Sequence, residues 1–137
     1  MVFRFSHALV TGGSGFVGAP FVKMLLDKDK YVTSFDIKSN PNSDAAFIQA
    51  DIRDKEAVKK ASKDVGVIFN LASVVPQSAV IASQYNDIIV GGIRNVLDAA
   101  IERGIKVVHV SSSGVYGADR EGIVKEDDSK KAPEIQI

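Results

Sequence analysis

The feature that most narrows what this chain can become is the run Thr11-Gly12-Gly13-Ser14-Gly15-Phe16-Val17-Gly18, with glycines at positions 12, 15 and 18. It follows a short apolar segment, His7 to Thr11, which predicts a strand. It precedes Phe16, Val17, Phe21, Val22, Met24, Leu25 and Leu26, which recur at helical spacing until Asp27-Lys28-Asp29-Lys30 breaks the stripe. Met24 is expected in the core with Leu25 and Val17. A strand that turns through glycines into a helix brings backbone N–H groups and the positive helix end to one point, a favourable place for phosphate. Gly-Lys-Ser/Thr is missing from the turn, which excludes the P-loop form of such a site.

The rest of the chain repeats that alternation. Strands are predicted over 31–36, 46–50, 65–71 and 105–110, the last two as buried strands. Helices are predicted over 55–63, with Asp54 as N-cap, and from about Gln77 to Arg103, with Gly104 as its stop. Residues 39–44 form a loop. Apolar strands alternating with helices predict an α/β doubly wound parallel sheet, whose ligands bind beyond the carboxyl ends of the strands. The 137 residues suffice for one domain; 17 Lys and Arg balance 17 Asp and Glu, which gives no long-range attraction to nucleic acid or anionic lipid. No cysteine is present, so disulfides, thiolate nucleophiles and Cys-ligated zinc are excluded. With no signal peptide pattern and no apolar run of bilayer length, the expected compartment is the cytoplasm.

The strand ends hold the informative residues. Asp36 closes the second strand, 18 residues beyond Gly18. A carboxylate there accepts hydrogen bonds from both hydroxyls of an adenosine ribose and repels a 2′-phosphate, favouring NAD over NADP, with nearby Lys38 softening the preference. Asp51 can accept from an adenine amino group while Ile52 covers the ring; a loop carboxylate with an apolar neighbour is the plainer alternative. Asn70-Leu71-Ala72-Ser73 ends the fourth strand, where small residues would let a ribose approach the backbone. His109 sits inside the fifth strand with no second His or Cys with which to share a metal, and a core or strand-face role is expected for it. Lys55, Glu56, Lys59 and Lys60 are expected on a solvated helix face, and Gly91-Gly92 at a close helix approach.

Taken together, Thr-Gly-x-x-Gly-x-x-Gly, Asp36, Asp51-Ile52, Leu71-Ala72, Asn95-Val96-Leu97 and Ser111-Ser112-x-x-Val115-Tyr116-Gly117 resemble the NAD-dependent epimerase/dehydratase family of extended short-chain dehydrogenases/reductases. The likeness covers residues 5–117 and is specific for the superfamily, not for a substrate. It implies a Rossmann-type sheet in strand order 3-2-1-4-5, truncated after about five strands. It also implies NAD binding by Gly12, Gly15, Phe16, Val17, Gly18, Asp36, Asp51, Ile52, Leu71 and Ala72. Alignment on Val115-Tyr116-Gly117 implies that Ser112 is the hydroxyl that bonds the reacting oxygen of the substrate. The domain division implied is 1–117 for the dinucleotide and 118–137 as an acidic loop.

The chain departs from the family in three places. The family's general acid/base sits in Tyr-x-x-x-Lys, yet Phe35, Ile89 and Arg120 stand four residues after Tyr31, Tyr85 and Tyr116. The pair is expected at or past Ile137, the chain being part of a longer protein; the alternative is a half-length NAD-binding or sensor protein. Ile89 occupies the usual place of an Asn, with Asn86 one turn away. Ser113 and Gly114 stand where dehydratases carry Asp and Glu, which disfavours water elimination and leaves epimerisation or alcohol/ketone oxidoreduction, with a nucleotide sugar as the expected substrate. The long helix is expected to form a homodimer interface. Another Rossmann nucleotide user, such as a methyltransferase, would have no use for the Ser112 segment.

Overall fold

In β1 (His7–Thr11) every second side chain turns to the same side, and both sides are buried. Leu9 faces one side of the sheet while Ala8 and Val10 face the other, all fully buried. A strand apolar on both faces needs cover on both, which is the condition for a parallel sheet between helical layers. The computed structural model describes residues 4–42, 44–74, 82–117 and 122–126. It has β1, α1 (Gly18–Leu26), β2 (Tyr31–Asp36), β3 (Ala46–Gln49), α2 (Lys55–Ala61), β4 (Val67–Asn70), α3 (Ala82–Asn86), a π turn (Asp87–Gly91), α4 (Gly92–Arg103), β5 (Lys106–His109) and a 3₁₀ turn (Ser113–Tyr116).

The sheet order is β3-β2-β1-β4-β5, with every pairing parallel, as expected from the sequence. The order reverses at β1, between β2 and β4, so the crevice above the end of β1 is the natural ligand position. One face carries Leu9, Phe35 and Ile68 against Val58, Val96, Ala99 and Ala100 of α2 and α4. The other carries Ala8, Val10, Val32 and Val67 against Val22 and Leu25 of α1. Phe69 extends this second core by edge-to-face contacts with Phe21 and Phe5, at ring-centre separations of 4.9 and 5.7 Å.

Several expectations are corrected. The first helix begins at Gly18, so Phe16 and Val17 lie outside it and are exposed (98% and 59%). Met24 is also exposed, at 43%, because it lies about 200° around the helix from buried Val22. The single helix expected up to Arg103 is broken by the π turn over 87–91; its expected start, 77–81, lies outside the described residues. The expected buried fifth strand is mostly exposed. Val107 packs against the α4 side, whereas Val108 faces the side where α1 covers β1, β2 and β4 but not β5. The lysines of α2 are not merely solvated: Lys55 Nζ lies 2.8 Å from Asp98 Oδ2 and Lys59 Nζ 2.9 Å from Glu102 Oε1, linking α2 to α4. As exposed pairs, they orient the helices more than they stabilise them. Of the expected acidic loop, only 122–126 belongs to the described residues.

The strand ends are tied by a polar network. Thr11 Oγ1 donates to Asn70 Oδ1 and accepts from Ala72 N at 3.4 Å. Asn70 Nδ2 donates to His109 Nδ1 at 3.0 Å, which gives His109 a role on the strand face. Asn70 is 2% exposed, and removing its amide leaves the Thr11 hydroxyl short of its buried acceptor. Asn70→Ala is therefore expected to cost about 1–3 kcal/mol of unfolding free energy, measured by urea denaturation.

Candidate nucleotide-binding site

The turn after β1 is shaped by backbone crowding. Gly12 has φ +70°, and a Cβ there would stand 2.7 Å from the amide nitrogen of Ala72 and 2.8 Å from the carbonyl of Leu71. A Cβ on Gly18 would run into the carbonyl oxygen of Gly12. These two glycines thus let three chain segments meet: the end of β1, the start of α1 and the segment after β4. Gly15 lines the cleft above them. The amides of Phe16 and Val17 meet no acceptor among the described residues, leaving two donors at the start of α1. Their part in a site would be played by backbone, since neither side chain lines the cleft.

That cleft has a volume of about 340 Å³, within the range of small-molecule sites. It runs from Gly12 and Gly15 past Asp36 to Asp51 and Ile52 on one side, and to Leu71, Ala72 and Ser73 on the other. Eight of the residues singled out from the sequence therefore converge on one cavity. Phe16, Val17, Gly18 and Ser112 are not among those lining it. Ser112 caps the 3₁₀ turn after β5, its Oγ accepting from Gly114 N at 3.1 Å, and is exposed.

Asp36 is anchored before any ligand arrives. Its Oδ2 accepts from Ser14 N at 3.0 Å and its Oδ1 from Lys38 N at 2.9 Å. The first bond fastens the glycine turn to the end of β2. A carboxylate has about four lone-pair positions, so each oxygen can still accept from a hydroxyl.

The loop after β3 is held from two directions. Arg53 grips Asp51 through Nε (3.0 and 3.1 Å) and Nη2 (2.6 Å), and its backbone N donates to Asp51 Oδ1 at 2.9 Å. From α4, Asn95 Nδ2 donates to the carbonyls of Ile52 and Arg53 at 3.0 and 3.1 Å. Gly92 admits Ile52 into the space a Cβ would take, 2.7 Å from Ile52 Cγ2. The close approach expected at Gly91-Gly92 is thus between Gly92 and this loop. Sequence reasoning missed Arg53, Ala50, Val74, Gln84 and Ile88 as lining residues, together with Asn95 as a support. The Asp-x-Arg spacing was the one available signal for Arg53.

Among the described residues no three His, Asp or Glu side chains form a metal-binding group, and no helix is long and apolar enough to cross a membrane. A turn without Cβ atoms at Gly12, Gly15 and Gly18, two amide donors and a carboxylate at the end of β2 fit a dinucleotide.

The profile of the NAD dependent epimerase/dehydratase family matches residues 8–135. The chain belongs to this family. It is 32% identical over 131 residues to a UDP-glucose 4-epimerase of Lacticaseibacillus casei, a match spanning 87% of this chain and 39% of that protein. It is 34% identical over 121 residues to a 3 beta-hydroxysteroid dehydrogenase/Delta 5-->4-isomerase of Mycobacterium tuberculosis, spanning 80% of this chain and 32% of that one. Among solved structures it superposes on MoeE5 in complex with UDP-glucuronic acid and NAD, with a TM-score of 0.81 and 28% identity over 91% of this chain and 42% of that one. The chain spans about a third to less than half of the length of such relatives. The family is NAD-dependent, and the residues of the cleft fit that cofactor.

The Arg53 guanidinium, by hydrogen bonding, holds the Asp51 carboxyl below the usual aspartate value of 3.8, with partial burial opposing it. A lowered carboxylate pKa means that the pair's contribution is complete at neutral pH and is lost as pH falls below 3.8 through the folded value. Arg53→Gln is expected to move the Asp51 titration upward toward 3.8, as read by NMR of the side-chain carboxyl carbon. An unmoved titration would count against the ion pair.

Proposed function

We propose that this chain is the NAD-binding part of an epimerase or related alcohol/ketone oxidoreductase that works on a nucleotide sugar in the cytoplasm. The observation that carries the reading is the convergence of the glycine turn, Asp36, Asp51-Ile52 and Leu71-Ala72-Ser73 on one cleft at the sheet's switch point. In this reading the pyrophosphate meets Gly12, Gly15 and the amides of Phe16, Val17 and Gly18 at the start of α1. Asp36 accepts from the adenosine ribose hydroxyls, and Asp51 and Ile52 take the adenine. Leu71, Ala72 and Ser73 give the second ribose an approach to the backbone.

When bound, NAD would supply hydride acceptance and return at its nicotinamide. This chain's residues bind and orient it, and Ser112 would hydrogen-bond the reacting oxygen of the substrate. The 137 residues contain no Tyr-x-x-x-Lys, so the proton-transferring pair would come from polypeptide outside them, and the chain alone would be inactive. Ser113 and Gly114 cannot exchange protons, which favours epimerisation or simple oxidoreduction over dehydration. A homodimer through the long helical region is supported by the exposed apolar stripe of Val90, Leu97 and Ile101, 48%, 43% and 80% exposed.

Calorimetric titration of the chain is expected to give clear NAD binding and much weaker NADP binding. Asp36→Ala should narrow that difference by about tenfold, roughly the 1.4 kcal/mol of one charge-assisted hydrogen bond. Equal affinity for both dinucleotides in the unaltered chain would reject the assignment of Asp36. In a longer polypeptide carrying the Tyr-x-x-x-Lys pair, Ser112→Ala is expected to slow turnover on the order of tenfold or more with NAD affinity nearly unchanged. An undiminished rate would remove Ser112 from the reaction.

A further inference from the structure

Thr11, Asn70 and His109 stand side by side at the ends of β1, β4 and β5, each in register with the next. Their hydrogen bonds run in one direction. Thr11 Oγ1 accepts from Ala72 N and donates to Asn70 Oδ1, and Asn70 Nδ2 donates to His109 Nδ1. A ring nitrogen that accepts carries no proton, so the proton of a neutral His109 sits on Nε2. The chain's other histidine is fixed the opposite way. His7 Nδ1 lies 3.1 Å from the carbonyl oxygen of Asp64, which can only accept, so His7 holds its proton on Nδ1. Thr11 and Asn70 are buried, whereas His109 is exposed and can take up a proton from water.

We propose that His109 is a positioning residue for the cofactor cleft: as a neutral acceptor it sets the orientation of the Asn70 amide, and through Thr11 it holds the Leu71–Ala72 wall in place. This rests on the NAD reading of the cleft. Leu71 and Ala72 line the cavity, and both are tied to Thr11, Leu71 N to its carbonyl at 3.1 Å and Ala72 N to its hydroxyl at 3.4 Å. A second proton on His109 sets N–H groups against each other across the contact with Asn70. The amide then has to turn over, presenting Oδ1 to the ring and Nδ2 to Thr11. The Thr11 proton is left without its acceptor in a buried site, a cost the side chain relieves by turning away from Ala72 N. The wall loosens, so protonation of His109 and binding of NAD oppose each other. Among the elements packed against β5, β4 brings no titratable side chain. On α4, Asp98 pairs with Lys55, Glu102 with Lys59, and Arg103 reaches the Lys59 carbonyl. Arg94 lies about 200° around that helix from buried Val96, and Lys106 alternates to the other face of β5.

The test is calorimetric titration of the chain with NAD at about pH 8 and about pH 5.5, within the span where histidine changes charge. The unaltered chain is expected to bind NAD about tenfold more weakly at the lower pH, the loss of roughly one buried hydrogen bond. His109→Gln offers an acceptor that does not titrate and is expected to keep the higher affinity at both pH values. His109→Phe offers none and is expected to bind about tenfold more weakly at both. His7→Asn is expected to retain the pH dependence of the unaltered chain. A pH dependence that persists in His109→Gln, or is lost in His7→Asn, overturns the proposal. Undiminished binding by His109→Phe, or equal affinity of the unaltered chain at both pH values, also overturns it; in each case the NAD reading stands. Absence of NAD binding at the higher pH removes that reading and the proposal with it. Nitrogen NMR of the unaltered chain without NAD gives an independent check at the higher pH. His109 is expected as the Nε2–H tautomer and His7 as the Nδ1–H tautomer, and an Nδ1–H form of His109 overturns the proposal.

Discussion

Three stretches of backbone meet at the end of β1 with no side chain between them, and the remainder of the site is arranged around that contact. Gly12 lies against the Leu71–Ala72 peptide, and Gly18 against the carbonyl of Gly12. Because β1 is the central strand, this junction sets the height of the glycine turn relative to both halves of the sheet. The bond from Thr11 Oγ1 to Asn70 Oδ1 lies directly beneath it, and Ser14 N to Asp36 Oδ2 ties its outer side to β2. A methyl group at position 12 or 18 would have to displace backbone, which cannot yield as a flexible side chain can. The glycine pattern is thus enforced by the protein's own packing before any phosphate is considered. A phosphate then gains from the same geometry, since donors brought close to one another and left unpaired suit an anion.

The second organising contact couples the base end of the cleft to α4. Asn95 holds two successive carbonyls of the loop after β3, and Gly92 receives Ile52. Ile88, on the π turn just before α4, lines the same cavity. A π turn inserts one residue into the helical ladder and rotates what precedes it. Ile88, Gly92 and Asn95 are spaced four and three residues apart, the spacing that keeps side chains on one side of a helix, and all three turn toward the loop and the cavity beside it.

Much of this architecture was legible in the amino-acid sequence because it depends on local rules. Strands apolar on both faces announced a parallel sheet, the turn after His7–Thr11 announced its ligand edge, and Asp54 capped α2 through Ala57 N at 3.0 Å as expected. What was not legible depends on contacts between distant segments or on the end of a periodic stripe. Phe16 and Val17 continue the apolar spacing of α1 yet precede its first turn, so their side chains are exposed. Asn95 stands out in the sequence only as part of Asn95-Val96-Leu97, and only the fold shows its partner, the carbonyl of Ile52, 43 positions away. β4 is apolar from Val67 to Phe69, whereas β5 sets Val107 and Val108 between Lys106 and His109, a polar signal that its central valines masked.

Ser112 lies outside the cleft lining, yet its hydroxyl is held by the turn it caps. Its hydroxyl has one proton and two lone pairs, and one lone pair is occupied by Gly114 N. That bond fixes the oxygen without consuming its proton, which is left to point at an acceptor. Gly114 is the second position after the hydroxyl, where a dehydratase would place an acid or base. In this chain that position instead contributes its backbone N–H to orienting Ser112. The bond from Gly114 N thus orients the hydroxyl in the way that the substrate contact proposed for Ser112 would need.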